Sequence, residues 1–138
     1  MKAIMKYLWH LVTKYPISAL LILFTWIISL IPIPETPLNE VRFVDKWTHV
    51  TLYLLLALTI GAEFTRRHGR SDRLGRFLAA FVLPIAMGGL VEIVQMTCTG
   101  GRRSGDWIDF AADGAGVLTA WIIGMLLAKC LSRDGKDC

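Results

Sequence analysis

Charged side chains are scarce in this sequence: Asp, Glu, Lys and Arg make up 19% of the 138 residues, whereas hydrophobic residues make up 54%. Soluble domains typically carry about 25% charged residues. The mean hydropathy of +0.52 and apolar runs of about 20 residues instead predict an integral membrane protein. The net charge of +4 is not gathered into a basic motif with interleaved aromatic residues, so it does not indicate nucleic-acid binding.

Cysteine is also scarce, and its pattern excludes two kinds of site. The three residues, Cys98, Cys130 and Cys138, form no C-x-x-C pair and are odd in number. They therefore indicate neither a disulfide framework nor a structural zinc site. The chain has no H-E-x-x-H metal motif. It also has no clear internal repeat of the kind that transporter folds usually display, which disfavours a transporter.

Four apolar segments predict four membrane spans. Each approaches the roughly 20 residues that cross the hydrocarbon core. Because a backbone in lipid must satisfy its own hydrogen bonds, the segments are predicted to be helices, and the fold class is an all-α, four-transmembrane-helix bundle. Pro84 predicts a kink in the third helix. The predicted spans are residues 17–33, 47–64, 77–96 and 107–128.

The first 15 residues predict an amphipathic helix lying on the membrane surface. Apolar residues such as Ile4, Leu8 and Leu11 recur at helical spacing, and Lys2 and Lys6 take the opposite face. A helix of this pattern binds the interface of an anionic leaflet. The predicted organisation is therefore an interfacial helix at 1–15, a membrane domain at 16–130 and a cytoplasmic tail at 131–138.

Basic residues are distributed unevenly outside the spans. Of the 15 Lys and Arg residues, 11 fall in the N-terminus, the 65–76 loop and the C-terminus, and 4 fall in the other two loops. Since cytoplasmic loops are enriched in Lys and Arg, we expect a multi-pass protein of the cell membrane with both termini in the cytoplasm.

Polar side chains gather at the opposite end of the second, third and fourth spans. On each helix they recur every three or four residues, as Asp45 and His49 do, and so share one face. Tyr53 extends the face of His49 by one more turn. We predict that these side chains form one functional cluster. Its members are Asp45, Lys46, His49, Glu92, Gln95, Arg102, Arg103, Asp106, Asp109 and Asp113.

A charged side chain facing lipid costs roughly 2.5–3.5 kcal/mol on insertion scales, so these residues are expected to face inward and find partners. Lys46, His49 and the loop arginines can pair with Asp109 and Asp113, and Glu92 can pair with Arg103 or be protonated. Two interpretations remain open, a satisfied ion-pair network and a polar cavity open to the outside. The cost of burying such groups in a membrane favours the functional interpretation.

Two further features concern packing. Small residues repeat every four positions along the fourth span, a spacing that lets a neighbouring helix approach closely. Glu63, at the cytoplasmic end of the second span, is expected to pair with Arg66 or Arg67 on an exposed helix end. The small residues are Ala112, Gly116, Ala120 and Gly124.

Three stretches, DKWTHVTLYLLLAL, GGLVEIVQ and GRRSGDWIDFAADGAG, resemble the VanZ-like family of small membrane proteins. That family has approximately Asp-Lys-x-x-His near the start of the second helix and Glu-x-x-Gln ending the third. Gly-Arg and Asp-x-x-x-Asn-x-x-Gly then enter the fourth helix. Asp113 stands where the family usually has Asn. The resemblance covers about residues 40–128, and the matching residues are Asp45, Lys46, His49, Glu92, Gln95, Arg103, Asp109 and Gly116.

The resemblance implies a protein of the bacterial inner membrane that acts in the cell envelope. The family's namesake is associated with low-level antibiotic resistance, to the glycopeptide teicoplanin, but the resemblance implies no defined biochemical activity. It also leaves the oligomeric state open.

We interpret the chain primarily as a binding protein rather than an enzyme. Lys46, Arg102 and Arg103 could hold an anionic lipid or envelope ligand at the outer leaflet by charge-assisted hydrogen bonds. The alternative is a metal-assisted membrane enzyme acting on a lipid-linked phosphate. A third interpretation is a structural partner of another membrane protein. The candidate ligands for a divalent cation such as Mg²⁺ or Ca²⁺ are Asp45, His49, Glu92, Asp109 and Asp113.

Overall fold

The computed structural model describes residues 1–31, 44–98, 100 and 106–134, and no strand occurs among them. The predicted all-α class is confirmed. Three of the helices among these residues are each long and apolar enough to cross a membrane, and they lie at Val44–His68, Arg73–Cys98 and Trp107–Arg133. The helices are α1 (Lys2–Lys14), α2 (Pro16–Leu30), α3 (Val44–His68), α4 (Arg73–Cys98) and α5 (Trp107–Asp134).

The helices α1 and α2 meet at a bend of 108°. Pro16 begins α2, where its missing N–H is not needed because the first turn has no intrahelical acceptor for it. The 15 residues of α2 cover about 22 Å at 1.5 Å per residue, less than the roughly 30 Å of a bilayer core. Only together with α1 does this segment meet the length of a span.

The helix α4 changes its hydrogen-bond pattern just before Pro84. Residues Leu78–Val82 form a π-helical turn, in which the Leu83 N–H donates to the Leu78 carbonyl. A proline lacks the donor that would continue the regular α-helical ladder. A kink was predicted at Pro84; the structure has a wider turn immediately before it, and the helix continues as one candidate span.

The most extensive helix pair is α3 with α5, and glycine explains how closely they approach. A Cβ atom added to Gly116 would clash with the Val50 carbonyl and lie 3.0 Å from the Leu54 nitrogen. Ala120, one turn further along, is buried in the core. At Gly124 an added Cβ would meet nothing within 4 Å. The predicted seam of small residues therefore acts in its central part and not at its far end.

The core lies between these two helices and α4. It is built from Tyr53, Leu56, Ala57, Ile60, Ala80, Val117 and Ala120. Large apolar side chains such as Leu55, Leu90 and Ile122 remain exposed on the outside of the bundle. An extensive apolar exterior of this kind fits a surface covered by lipid.

Glu63 has a different role from the one expected. Its Oε2 accepts hydrogen bonds from Ser18 Oγ at 2.6 Å and from the Ser18 N–H at 3.0 Å, and its Oε1 accepts from the Ile17 N–H at 3.3 Å. Arg67 interacts electrostatically with this carboxylate, as expected, but Glu63 is half-buried and its hydrogen bonds come from α2. The free N–H groups at the start of α2 need acceptors, and the Glu63 carboxylate supplies them from α3.

Candidate functional site

The polar residues meet because three helix ends coincide. Asp45 lies in the first turn of α3, Asp109 lies in the first turn of α5, and Glu92 lies two turns before the end of α4. Since α4 runs antiparallel to α3 and α5, its last turns lie at the same end as the starts of the other two helices. We call this end of the bundle the polar end.

Lys46 is the cation that joins α3 to the start of α5. Its Nζ lies 2.7 Å from Asp109 Oδ1 and 3.4 Å from Asp106 Oδ2. The Ile108 N–H donates to Asp106 Oδ1 at 3.0 Å. This hydrogen bond, with help from Lys46, holds the pKa of Asp106 below its usual value. Lys46 is thus already neutralised by two carboxylates.

His49 and Asp113 form the most buried polar pair of the site. His49 Nδ1 lies 2.8 Å from Asp113 Oδ1, and the two residues are 4% and 0% exposed. A Cβ atom at Gly88 of α4 would lie only 2.8 Å from Asp113 Oδ2. Gly88 therefore provides the room that this second carboxylate oxygen occupies.

Glu92 reaches from α4 to the start of α5. Its Oε2 accepts a hydrogen bond from the Asp106 N–H at 2.8 Å, which satisfies one of the free donors at the beginning of that helix. Glu92 is 3% exposed. The carboxylate faces the interior of the bundle, as the cost of a charge against lipid requires.

Three buried oxygens at the polar end have no hydrogen-bond partner among the described residues: Glu92 Oε1, Asp113 Oδ2 and Tyr53 Oη. A buried polar atom left in this way costs about 1–3 kcal/mol. A network that served only to join the helices would be expected to satisfy its own members. These atoms are the strongest indication of a ligand.

The other predicted members are placed differently. Gln95 donates from Nε2 to the Ser29 carbonyl at 2.7 Å, so it connects α4 to α2. Asp45 is half-buried and lies close to His49 and Asp109. Arg102 and Arg103 lie outside the described residues. Tyr53 was not among the predicted site residues, although its spacing from His49 placed it on the same face.

Two groups of side chains at the polar end have the spacing of metal ligands. In one, ligand atoms of His49, Glu92 and Asp113 lie within 4.8 Å of one another, and all three residues are buried. In the other, the same holds for Asp45, His49 and Asp109. Asp109 already holds Lys46 in that second group. The first group is therefore the better candidate for a metal ion.

A small groove opens between α4 and α5 beside Glu92. Its volume is about 70 Å³. Ile93 and Met96 of α4 and Trp107 of α5 form its sides, and these three side chains are about half or more exposed. Glu92 and Asp106 lie among its lining residues, and Gly89 completes them. The surface of the groove is thus apolar, and the two acidic residues lie beside it.

Comparison with known proteins gave no relatives: the chain matches no family model, no curated protein and no solved structure. The function of the site is therefore inferred from its geometry.

Proposed function

We propose that this chain is a VanZ-like, multi-pass protein of the bacterial inner membrane that binds the head group of an anionic lipid or lipid-linked envelope ligand. The observation that carries this proposal is the groove between α4 and α5. Its apolar sides are provided by Ile93, Met96 and Trp107, and Glu92 and Asp106 lie among its lining residues. An apolar groove beside a few polar groups suits an amphiphile, whose chain would lie in the groove while its head group reaches the polar end.

The buried oxygens support a ligand over a self-contained network. Glu92 Oε1, Asp113 Oδ2 and Tyr53 Oη lack partners among the described residues, and each is an acceptor that a ligand's hydroxyl group, amine or bound cation can satisfy. The motifs that resemble the VanZ-like family run through the same residues. This coincidence between motif and geometry supports the family assignment.

In this proposal, the site lies on the outer side of the membrane. We take the apolar segment at residues 17–33, which begins in α2, as a fourth membrane segment, and α1, bent from α2 by 108°, as an interfacial helix on the cytoplasmic leaflet. Both termini then lie in the cytoplasm, in agreement with the 11-to-4 distribution of basic residues. A head-group site at the outer leaflet would affect envelope properties and, through them, glycopeptide (teicoplanin) susceptibility.

Binding is preferred to catalysis because a groove with apolar sides suits a lipid chain. The alternative, a metal-assisted enzyme acting on a lipid-linked phosphate, is favoured by one observation, the grouping of His49, Glu92 and Asp113. A metal ion there would serve either purpose.

Blocking the groove tests the proposal. Ile93→Trp places a large ring among the lining residues, whereas Leu90→Trp places the same ring on the lipid-facing side of α4. The two positions are a matched pair, with exposures of 52% and 51%. Full-length protein in nanodiscs would be crosslinked with photoactivatable phosphatidylglycerol, and the attached lipid measured by mass spectrometry.

We expect Ile93→Trp to lower specific crosslinking severalfold and Leu90→Trp to leave it near the wild-type level. An excess of unlabelled phosphatidylglycerol should compete with the probe. Equal crosslinking of the three proteins would contradict the proposed groove. Stronger competition by phosphatidylethanolamine than by phosphatidylglycerol would contradict the anionic head group.

A further inference from the structure

The described part of the polar end is rich in carboxylates. Five of them lie there, whereas Lys46 is the one Lys or Arg among the described site residues and is already held by Asp106 and Asp109. A cation bound among these carboxylates would make the site and an anionic head group more compatible. The carboxylates are Asp45, Glu92, Asp106, Asp109 and Asp113.

We propose that His49, Glu92 and Asp113 form a centre for a transition-metal dication of the zinc or manganese class. This inference rests on the proposed function and deepens it, because the ion would bind the phosphate of the lipid head group. The three residues come from α3, α4 and α5, so the ion would also join the three candidate spans. Their ligand atoms already lie within 4.8 Å of one another.

The unpartnered oxygens are an independent observation that points to an ion. Glu92 Oε1 and Asp113 Oδ2 are buried acceptors in residues that are 3% and 0% exposed. A bound cation would stabilise two such oxygens beside a histidine ring, because the cation compensates each oxygen for its lost hydration. Gly88 matters here as well, since a Cβ at that position would press on Asp113 Oδ2.

The ligand set selects the class of ion. Mg²⁺ and Ca²⁺ prefer oxygen ligands alone, whereas imidazole together with carboxylates suits Zn²⁺ or Mn²⁺. His49 is the most central ligand, because it belongs to both groups with metal-ligand spacing. The sequence suggested Mg²⁺ or Ca²⁺ from the carboxylates, and the position of His49 changes that preference. Three protein ligands leave a coordination position for a phosphate oxygen, as in catalytic zinc sites.

The ion can be bound with little movement. His49 Nδ1 and Asp113 Oδ1 lie 2.8 Å apart. Two ligand atoms around one zinc ion are separated by about 3–3.5 Å when each bond is about 2.0–2.2 Å. These two atoms therefore need to separate only slightly to hold one ion between them.

The test is direct metal binding by the full-length protein in detergent after treatment with a chelator. Zn²⁺, Mn²⁺ and Mg²⁺ would each be titrated by calorimetry. We expect about one Zn²⁺ or Mn²⁺ per chain and much weaker Mg²⁺ binding. Glu92→Gln keeps the size of the side chain and should weaken Zn²⁺ binding by about tenfold or more.

Glu63→Gln is the matched control. It is the same substitution at the end of α3 that lies away from the polar end, where Glu63 accepts hydrogen bonds from Ser18. It should leave the Zn²⁺ affinity unchanged. Should Glu92→Gln fail to fold, Co²⁺ can be added to the wild type. A bound Co²⁺ ion with nitrogen and oxygen ligands gives a visible spectrum that reports its coordination, and a chelator should abolish it; no such spectrum would contradict the centre.

The outcomes separate this inference from the proposed function. If the chelated wild type binds no ion, or if Glu92→Gln and Glu63→Gln bind Zn²⁺ equally, the metal centre is wrong. Groove-dependent crosslinking of phosphatidylglycerol to the chelated protein would then leave the lipid site standing without the ion. Stoichiometric Zn²⁺ binding without any crosslinking in the groove would support the centre and contradict the lipid.

Discussion

The Tyr53 hydroxyl is one of the buried oxygens that point to a ligand. The Tyr53 side chain is 0% exposed, and its hydroxyl has no hydrogen-bond partner among the described residues. A hydroxyl buried in this way costs stability, and phenylalanine would fill the same volume without that cost. A tyrosine at this position is therefore better explained by a ligand than by packing.

Replacing Tyr53 with Phe should separate binding from stability. We expect the free energy of unfolding to be unchanged or to rise by about 1–3 kcal/mol, while crosslinking of phosphatidylglycerol falls severalfold. Thermal unfolding in detergent and the crosslinking yield measure the two effects. Tyr15→Phe is the control, because the Tyr15 hydroxyl contacts His68 at the opposite end and should not affect crosslinking. A Tyr53→Phe protein that loses stability and keeps its crosslinking would show that the hydroxyl is structural.

Periodicity in the sequence was enough to bring His49, Glu92 and Asp113 to one region, since each lies on a helix face with other polar residues. It could not say which oxygens would stay unpartnered, because that depends on distances of a few ångströms between three helices. The sequence did carry the signal for Tyr53, four residues after His49. The prediction from the sequence gave less weight to a phenol than to charged groups, and so left Tyr53 out of the site.

At the scale of helices, glycine sets the geometry on which the site depends. The close approach of α3 and α5 at Gly116 holds the two helices that carry His49 and Asp113 together. The motif spacing indicated that small residues lie on this side of α5. It could not indicate where the seam ends, because Gly124 has the same spacing as Gly116 but faces open space.

Two alanine substitutions should therefore differ although they lie on one helix. Gly116→Ala places a Cβ against the Val50 carbonyl and should lower stability by about 1–3 kcal/mol. Gly124→Ala meets nothing within 4 Å and should be neutral or slightly stabilising, because alanine favours a helix. The comparison is made by thermal unfolding of both variants in the same detergent. Equal destabilisation would mean that the α3–α5 seam is not the tight contact described.

The role of Glu63 shows why helix ends are hard to assign from sequence. The arginines three and four residues later are the local partners that spacing suggests. The structure instead brings Ser18, 45 residues away, to the carboxylate, since the start of α2 offers N–H donors without acceptors. Local spacing does not contain that tertiary contact.

For the whole molecule, the all-α class and the approximate positions of the long helices followed from hydropathy. The helices continue past the apolar cores that hydropathy detects: α3 runs from Val44 to His68, whereas the predicted span is 47–64. The helix α5 ends at Asp134, within the predicted tail at 131–138. Hydropathy also could not show that α2 alone is short and sharply bent from α1.

Orientation in the membrane is a prediction for the whole chain. Cys98 ends α4 at the polar end and is exposed, whereas Ser71 lies in the turn before α4 at the other end. With the other cysteines replaced by serine, a membrane-impermeant maleimide applied to intact spheroplasts should label Cys98. It should label Ser71→Cys, in a background lacking Cys98, only after the membrane is made permeable. The reverse pattern would place the polar end in the cytoplasm.

The central claim is that a lipid head group reaches the polar end through the groove between α4 and α5. The most direct measurement is the attachment position of photoactivatable phosphatidylglycerol on the wild-type protein, found by peptide mass spectrometry. We predict attachment concentrated on Ile93, Met96 and Trp107 and reduced by unlabelled phosphatidylglycerol. Attachment spread evenly over lipid-facing residues such as Leu55 and Leu118, with no competition, would contradict the claim.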